Sequence, residues 1–357
     1  MQEIVSLDAK PVVLYLRDSF HTSIRKADTS ETVLIRLQLR NGVIGFGESV
    51  PLKYISGETI NSVLGDIERA GELLNSRPIS SFRKIITEMN DVFSGHSSVL
   101  AGIEMAVIDA FCKYYNLPAW QFLGGFRSCI RTDVTISLTH SEKAVSLAAK
   151  YCSQGFSCIK IKVSQSVDAS YLLAISESAP AAYFIIDANQ SFDKSSAVDF
   201  IKSLPFDQSR IAVFEQPVAQ NDFGALKSAS KYCGVPVYAD ESAKNTADCF
   251  KIAKMSAADG INIKIQKQGV IGAIESTAIC RSARLKVMLG CMLESAIGLS
   301  ASAHLACGLG CFEYLDLDSD VLLEGDIGRS GFIRKGSEIA VLNKPGFGAE
   351  PPEGVFD

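Results

Sequence analysis

The chain has 357 residues, 47% of them hydrophobic and 21% charged, with 35 basic against 40 acidic side chains and a formal net charge of −5. That length exceeds one small core, and that balance excludes an intrinsically disordered chain. No basic excess favours nucleic acid or an anionic membrane, so a small molecule is the expected partner.

The first twenty residues carry acids early and lack a continuous apolar run before a small-residue cleavage site, so no secretory leader is expected and the mature chain should begin near Met1. Two strands are predicted at 12–16 and 32–39, then a turn at Gly42-Val43-Ile44-Gly45 and helices at 60–74 and 99–115. Strands followed by helices make residues 1–125 an α+β capping domain. From Thr132 onward, short β-branched runs alternate with amphipathic stretches at a spacing of roughly 25 residues, the pattern of repeated βα units. The strands are expected at 132–138, 158–163, 183–187, 211–215, 235–240, 261–265, 286–289 and 312–316. Eight parallel strands and seven helices give an α/β fold, a (β/α)7β TIM-type barrel over 126–316. Segment 295–312 has nearly the apolar length of a membrane span, but it is rich in Gly, Ser and Ala, holds His304 and follows Glu294, so a buried helix with its loop is expected. Residues 317–357, with a Gly- and Pro-rich stretch at 344–354, are expected to return to the capping domain. Ten cysteines without any CxxC or CxxH spacing favour reduced, mostly buried thiols in a cytoplasmic compartment.

Active sites of this barrel type are assembled at the C-terminal ends of the strands. Three successive strands end there in an acid: Ile186-Asp187-Ala188-Asn189, Phe214-Glu215-Gln216-Pro217 and Ala239-Asp240-Glu241-Ser242. One such acid could merely cap the next helix. Three converging carboxylates repel one another unless a cation is present, and hard oxygen ligands with room for water suit Mg²⁺ better than zinc. On the second strand, Lys160-Ile161-Lys162 puts two ammonium groups on one side, inward if the strand is correctly placed and solvated if it is not. Like charges this close depress a lysine pKa, and such a lysine can serve as a general base near neutral pH. Lys264 closes the sixth strand on the far side of the barrel, while Lys267 is expected in a loop with the opposite parity. The eighth strand ends in Leu315-Asp316-Leu317-Asp318, two acids of one parity. They are either a solvated strand end, with Asp320 nearby, or an inward pair that wants a cation such as a substrate ammonium.

Lys160-x-Lys162, Asp187, Glu215, Asp240 and Lys264, separated by 28, 25 and 24 residues from Asp187 onward, resemble the muconate-lactonizing branch of the enolase superfamily. The likeness extends to Leu117-Pro118-Ala119-Trp120-Gln121-Phe122-Leu123-Gly124-Gly125 before the barrel. It implies that Asp187, Glu215 and Asp240 bind Mg²⁺, which holds a substrate carboxylate, and that a lysine removes the α-proton to give an enediolate. With Lys162 and Lys264 on opposite faces of the carbon, deprotonation on one side and reprotonation on the other make a racemase or epimerase, Lys160 holding the enolate oxygens. Asp316-x-Asp318 resembles the amine-holding motif of the dipeptide epimerases. Phe20-His21-Thr22-Ser23-Ile24-Arg25 is similar to their capping loop, with Arg25 facing the side chain of the C-terminal residue, so alanyl-glutamate leads as substrate. Thr135 matches a substrate-contacting position, Met292 is expected to form an apolar wall, and Glu294 a structural or supporting group. The same resemblance leaves o-succinylbenzoate synthase, N-acylamino-acid racemase and muconate cycloisomerase as alternatives, and more remotely a non-catalytic barrel. A homo-oligomer is usual for such barrels.

Overall fold

The computed structural model describes residues 2–53 and 55–357, so the expectation about Met1 lies outside the described residues. Strands Ile4–His21, Lys26–Leu39 and Ile44–Ser49 form an antiparallel sheet whose outer edge is completed by Leu323–Glu324 from the far end of the chain. The first two strands run well beyond the predicted 12–16 and 32–39. Many of their extra residues are polar and exposed, such as Lys10 and Asp18, so an apolar-run criterion does not extend over them even though Ile4 is buried in the core. A register shift between Tyr15 and Phe20 lies in the outer half of this hairpin, whose tip is residues 22–25. The predicted Gly42–Gly45 turn is also shorter than expected: Gly42 takes the left-handed conformation at φ 86°, and Ile44 already opens the third strand. Gly45 and Gly47 lie inside that strand. A Cβ on either would come within 2.2 Å of Ala106 O or 2.0 Å of Gly102 O, so their role is close packing on helix Ser97–Tyr114.

That helix is buried on nearly every side because it is wedged between the sheet and the barrel helix Ile265–Ser282. Its buried Glu104 ties the two layers, accepting from Ile271 N at 2.8 Å and Asn90 Nδ2 at 2.9 Å.

All eight expected barrel strands are present, in sequential order and parallel: Val134–Ile136, Cys158–Lys162, Tyr183–Asp187, Ile211–Glu215, Val237–Ala239, Gly260–Ile263, Lys286–Gly290 and Tyr314–Asp316. Seven helices follow the first seven strands. Outward residues such as Ile159, Ile161 and Ile186 pack under the helices in the main core, while the inward row is plugged below by Ile185, Val213, Tyr238 and Met288. The seam between the last and first strands carries Asp133 N to Leu315 O at 2.8 Å, and Thr132 Oγ1 accepts from Leu317 N at 2.8 Å. Helix Ala296–Leu309 is buried, and no helix among the described residues is long and apolar enough to cross a membrane. Phe332–Lys335 pairs with Glu338–Val341, which in turn pairs with Cys129–Arg131, and Phe347 N donates to Asp109 Oδ1 of the N-terminal layer at 2.7 Å. All ten cysteines are free thiols.

Candidate active site

The strand ends bring the predicted acids and lysines together. Asp187, Glu215 and Asp240 are 0%, 0% and 4% exposed, and Lys160 and Lys162 both point inward, which removes the alternative of a solvated lysine pair. Each acid is anchored through one oxygen and turns the other to the centre. Asp187 Oδ1 accepts from Asn189 N at 3.0 Å, Glu215 Oε1 from Asn262 Nδ2 at 2.8 Å and Asp240 Oδ1 from Lys267 Nζ at 2.8 Å. On the central side, Asp187 Oδ2 accepts from Lys162 Nζ at 2.6 Å and Asp240 Oδ2 from Lys264 Nζ at 3.0 Å. Lys160 Nζ lies 3.0 Å from Asp187, 2.9 Å from Glu215 and 2.7 Å from Asp316.

The electrostatics follow from this threading. Burial alone would raise Asp187, but Lys160 and Lys162 hold it at about 2. Asp240 is likewise driven well below its ordinary value, burial being outweighed by Lys264 and Lys267. Glu215, buried beside Asp187, is pushed up to about 7. The sequence argument that neighbouring ammonium groups lower a lysine is reversed at Lys160, where the surrounding carboxylates outweigh burial and raise it; Lys264 is raised by Asp240 in the same way.

Hard carboxylate oxygens anchored from behind, with Asp187 Oδ2 and Glu215 Oε2 meeting at the Lys160 ammonium, are a donor type that fits Mg²⁺. Glu215 Oε2 supports this: it is buried and receives no hydrogen bond of sound geometry, although the Lys160 ammonium is near. The backbone after these strands is strained, with Asn189, Gln190 and Gln216 at φ 40°, 69° and 35°. Such residues cost on the order of 1–3 kcal/mol each and mark sites where the surroundings over-determine geometry. Gln216 shows how: its Oε1 accepts from Asp240 N and Ser242 N, and its Nε2 donates to Val218 O and Ser242 Oγ.

Lys264 sits just past the sixth strand, as the residue before helix Ile265–Ser282. Gly290 on the next strand makes room for it, since a Cβ there would lie 2.9 Å from Lys264 Cε. Lys267 is not in a loop. It occupies the first turn of that helix, fully buried, and its Nζ also donates to the carbonyls of Asp240 and Asn262 at 2.8 Å, so it braces Asp240 from below.

Asp318 lies beyond the eighth strand, on the residue preceding the short helix Ser319–Leu322, yet it shares the cavity with Asp316. Asp320 points away, in a bidentate pair with Arg334 at 2.7 and 2.6 Å, so the reading of the motif as a solvated end fails. Thr135 N donates to Asp318 Oδ2 at 2.6 Å, and Thr135 Oγ1 reaches Asp316 Oδ1 at 3.5 Å. Lys160 overcomes burial to lower Asp316, whereas burial and Asp316 push Asp318 up to about 6. The cavity is completed by Phe20 of the first strand, by Thr22, Ile24 and Arg25 of the hairpin tip, by Leu52 and Ile55, and by Cys291, Met292 and Leu293. The tip is pinned to the barrel: Ser23 Oγ donates to Asn189 O at 2.9 Å, Leu138 N to His21 O at 2.9 Å, and Lys162 Nζ lies 5.9 Å from the Phe20 ring centroid. Met292 N donates to Glu294 Oε1 at 2.9 Å, which makes buried Glu294 a support of the loop. A larger cleft of about 580 Å³ lies between the helix Phe82–Val92 and the sixth barrel helix, but it holds none of the strand-end carboxylates, so chemistry and not size selects the site.

Sequence reasoning missed Asp133, Glu241, Asn189 and Asn262. Glu241 is buried, accepts from Asn189 Nδ2 at 3.2 Å, and is pushed up to about 7 by burial and by Asp240. The inward parity of the strands would have found Asp133 and Asn262, two residues before Thr135 and Lys264.

Two family models match the chain: mandelate racemase / muconate lactonizing enzyme, N-terminal domain, over residues 6–124, and enolase C-terminal domain-like, over 143–355. The chain belongs to the enolase superfamily. An L-Ala-D/L-amino acid epimerase of Populus trichocarpa is 34% identical to this enolase-superfamily chain over 333 residues, covering 91% of it and 79% of the relative. The L-Ala-D/L-Glu epimerase from Bacillus subtilis, solved in a substrate-liganded complex, superposes with a TM-score of 0.93 at 29% identity over 98% of this chain and 99% of that one. A dipeptide epimerase from Enterococcus faecalis V583, solved with Mg and the dipeptide L-Leu-L-Tyr, superposes with a TM-score of 0.93 at 27% identity over 98% and 99%. This enolase-superfamily chain is an isomerase of the racemase and epimerase class.

Proposed function

We propose that the protein is a Mg²⁺-dependent dipeptide epimerase that inverts the α-carbon of the C-terminal residue, with L-Ala-D/L-Glu as the leading substrate. The observation that carries this reading is the pairing, in one cavity, of Lys162 and Lys264 with the carboxylates Asp316 and Asp318. An N-acylated or purely carboxylic substrate offers those acids no positive charge, whereas the free α-ammonium of a dipeptide does.

Asp187, Glu215 and Asp240 would hold the Mg²⁺, which when bound supplies Lewis acidity toward the substrate carboxylate. Lys162, on the second strand, and Lys264, after the sixth, stand across an eight-stranded barrel, so a Cα held between them is approached from both faces. One lysine, as the free amine, takes the proton while the other, as the ammonium, gives one up on the opposite side, and the contacts to Asp187 and Asp240 keep both side chains aimed inward. Lys160 keeps a fixed positive charge where negative charge develops on the substrate. Phe20 and the hairpin tip beyond it exclude water. Arg25 favours an acidic C-terminal side chain through a bidentate pair, while Met292 forms an apolar wall.

The test is a dipeptide panel incubated with the protein and Mg²⁺ in D₂O. Cα exchange with inversion at the C-terminal residue, strongest for acidic side chains and abolished by a chelator, is the expected result. Exchange indifferent to chelation defeats the metal assignment, and a preference for apolar side chains defeats the role of Arg25.

A further inference from the structure

Below the pair Asp316 and Asp318 lies a third carboxylate that does not line the cavity. Asp133 is 2% exposed, two residues ahead of Thr135 on the inward side of the barrel seam. One oxygen from each of Asp133, Asp316 and Asp318 lies within 4.8 Å of the other two. The donors are shared unequally. Asp316 receives Lys160 and Thr135 Oγ1, and Asp318 receives the Thr135 N–H, but neither oxygen of Asp133 receives a hydrogen bond.

A buried ionised carboxylate with no donor, next to two others, is the costliest arrangement available to these groups. The charged and titratable groups facing it are Asp316, Asp318, Lys160 and the Cys158 thiol. Burial first, then the two neighbouring acids, push Asp133 well above its ordinary value despite Lys160. A neutral acid reverses the demand, because its O–H must donate, and the acceptors at hand are the carboxylates of Asp316 and Asp318.

We propose that Asp133 is a positioning residue of the substrate-amine subsite: a proton-bearing acid that donates its O–H to Asp316 or Asp318 and fixes that pair toward the cavity. With Lys160 paired to Asp316 and a proton on Asp133, one uncompensated negative charge remains, which matches a single α-ammonium. This inference rests on the reading of Asp316 and Asp318 as the amine subsite.

The test uses the whole protein labelled with ¹³C at the aspartate carboxyl carbon. At neutral pH the wild type should show a carboxyl resonance of a neutral aspartic acid that is missing from D133N; an ionised Asp133 overturns the proposal. In the Mg²⁺-loaded enzyme, D133N keeps a donor and should stay within a few-fold of the wild-type KM for L-Ala-L-Glu. D133L, checked for folding by near-UV circular dichroism, strands the pair and should raise KM on the order of tenfold with kcat little changed. For propionyl-L-glutamate, which lacks the amine, D133L should change nothing. An unchanged KM for the dipeptide in D133L overturns the positioning role. A wild type that takes both compounds equally well removes the amine subsite and the role with it, while the carboxyl resonance still decides whether Asp133 holds a proton.

Discussion

Asp187, Glu215 and Asp240 on one side of the barrel mouth, and Asp316 and Asp318 on the other with Asp133 beneath them, are both trios of buried carboxylates. Lys160, Lys162, Lys264 and Lys267 are threaded through the first, whereas the second shares only Lys160. The second is also the tighter: its oxygens converge within 4.8 Å, and among the described residues no other acidic group is drawn together to that degree. Counting acids does not tell the two apart. The cations and N–H groups around them do: four lysine ammonium groups reach the first set, whereas the second has Lys160 and the N–H and hydroxyl of Thr135.

The sharpest way to break the comparison is to remove a lysine from the first cluster. Lys162→Ala or Lys264→Ala should lower epimerisation by two to four orders of magnitude, roughly the contribution of a positioned general base. Each variant should fail to release the proton from a different epimer, read as Cα exchange of the L,L and L,D dipeptides separately. A variant that still exchanges both epimers contradicts the two-sided scheme. Next in size, Asp318→Asn should weaken productive binding of a dipeptide by about 2–5 kcal/mol, as for loss of one partner of a buried charge pair. A comparable loss for propionyl-L-glutamate would show that the aspartate serves the fold and not the amine.

The smallest effect concerns stability and lies outside both clusters. Burial, followed by the neighbouring Glu48, pushes Glu294 up to about 8 from the ordinary 4.5. The folded protein therefore keeps a proton that the unfolded chain releases, and stability falls as pH rises from about 4.5 through about 8, by at most about 1.4 kcal/mol per pH unit. Glu294→Gln removes that fall, so urea midpoints measured across this window should diverge in favour of the variant toward alkaline pH; parallel curves contradict the assignment.

The barrel was legible in the sequence because each inward acid or lysine interrupts an apolar run at a strand end, and the spacing repeats. Asp316 and Asp318 were found by parity, although the strand stops at Asp316 and Asp318 reaches the cavity by a turn. What the sequence hides is reach. Lys267 has the wrong parity for a strand, but from a helical turn its long stem still arrives at Asp240. Asp133 lies inside the strand expected at 132–138 and shares the parity of Thr135, but it was missed because acids were sought only at the C-terminal ends of the strands. The long N-terminal hairpin was underestimated because 17–21 and 26–31 near its tip hold little apolar content and 4–11 at its base are interrupted by Asp8 and Lys10.

The most direct test of the central claim, that the mouth is built for a substrate carrying a free amine, is deuterium incorporation in D₂O with Mg²⁺ for L-Ala-L-Glu against propionyl-L-glutamate. The account predicts deuterium at Cα of the glutamyl residue with inversion for the dipeptide and far slower exchange for the propionyl compound. Equal exchange of the two, or exchange of the propionyl compound alone, would contradict it and return Asp316 and Asp318 to a structural role.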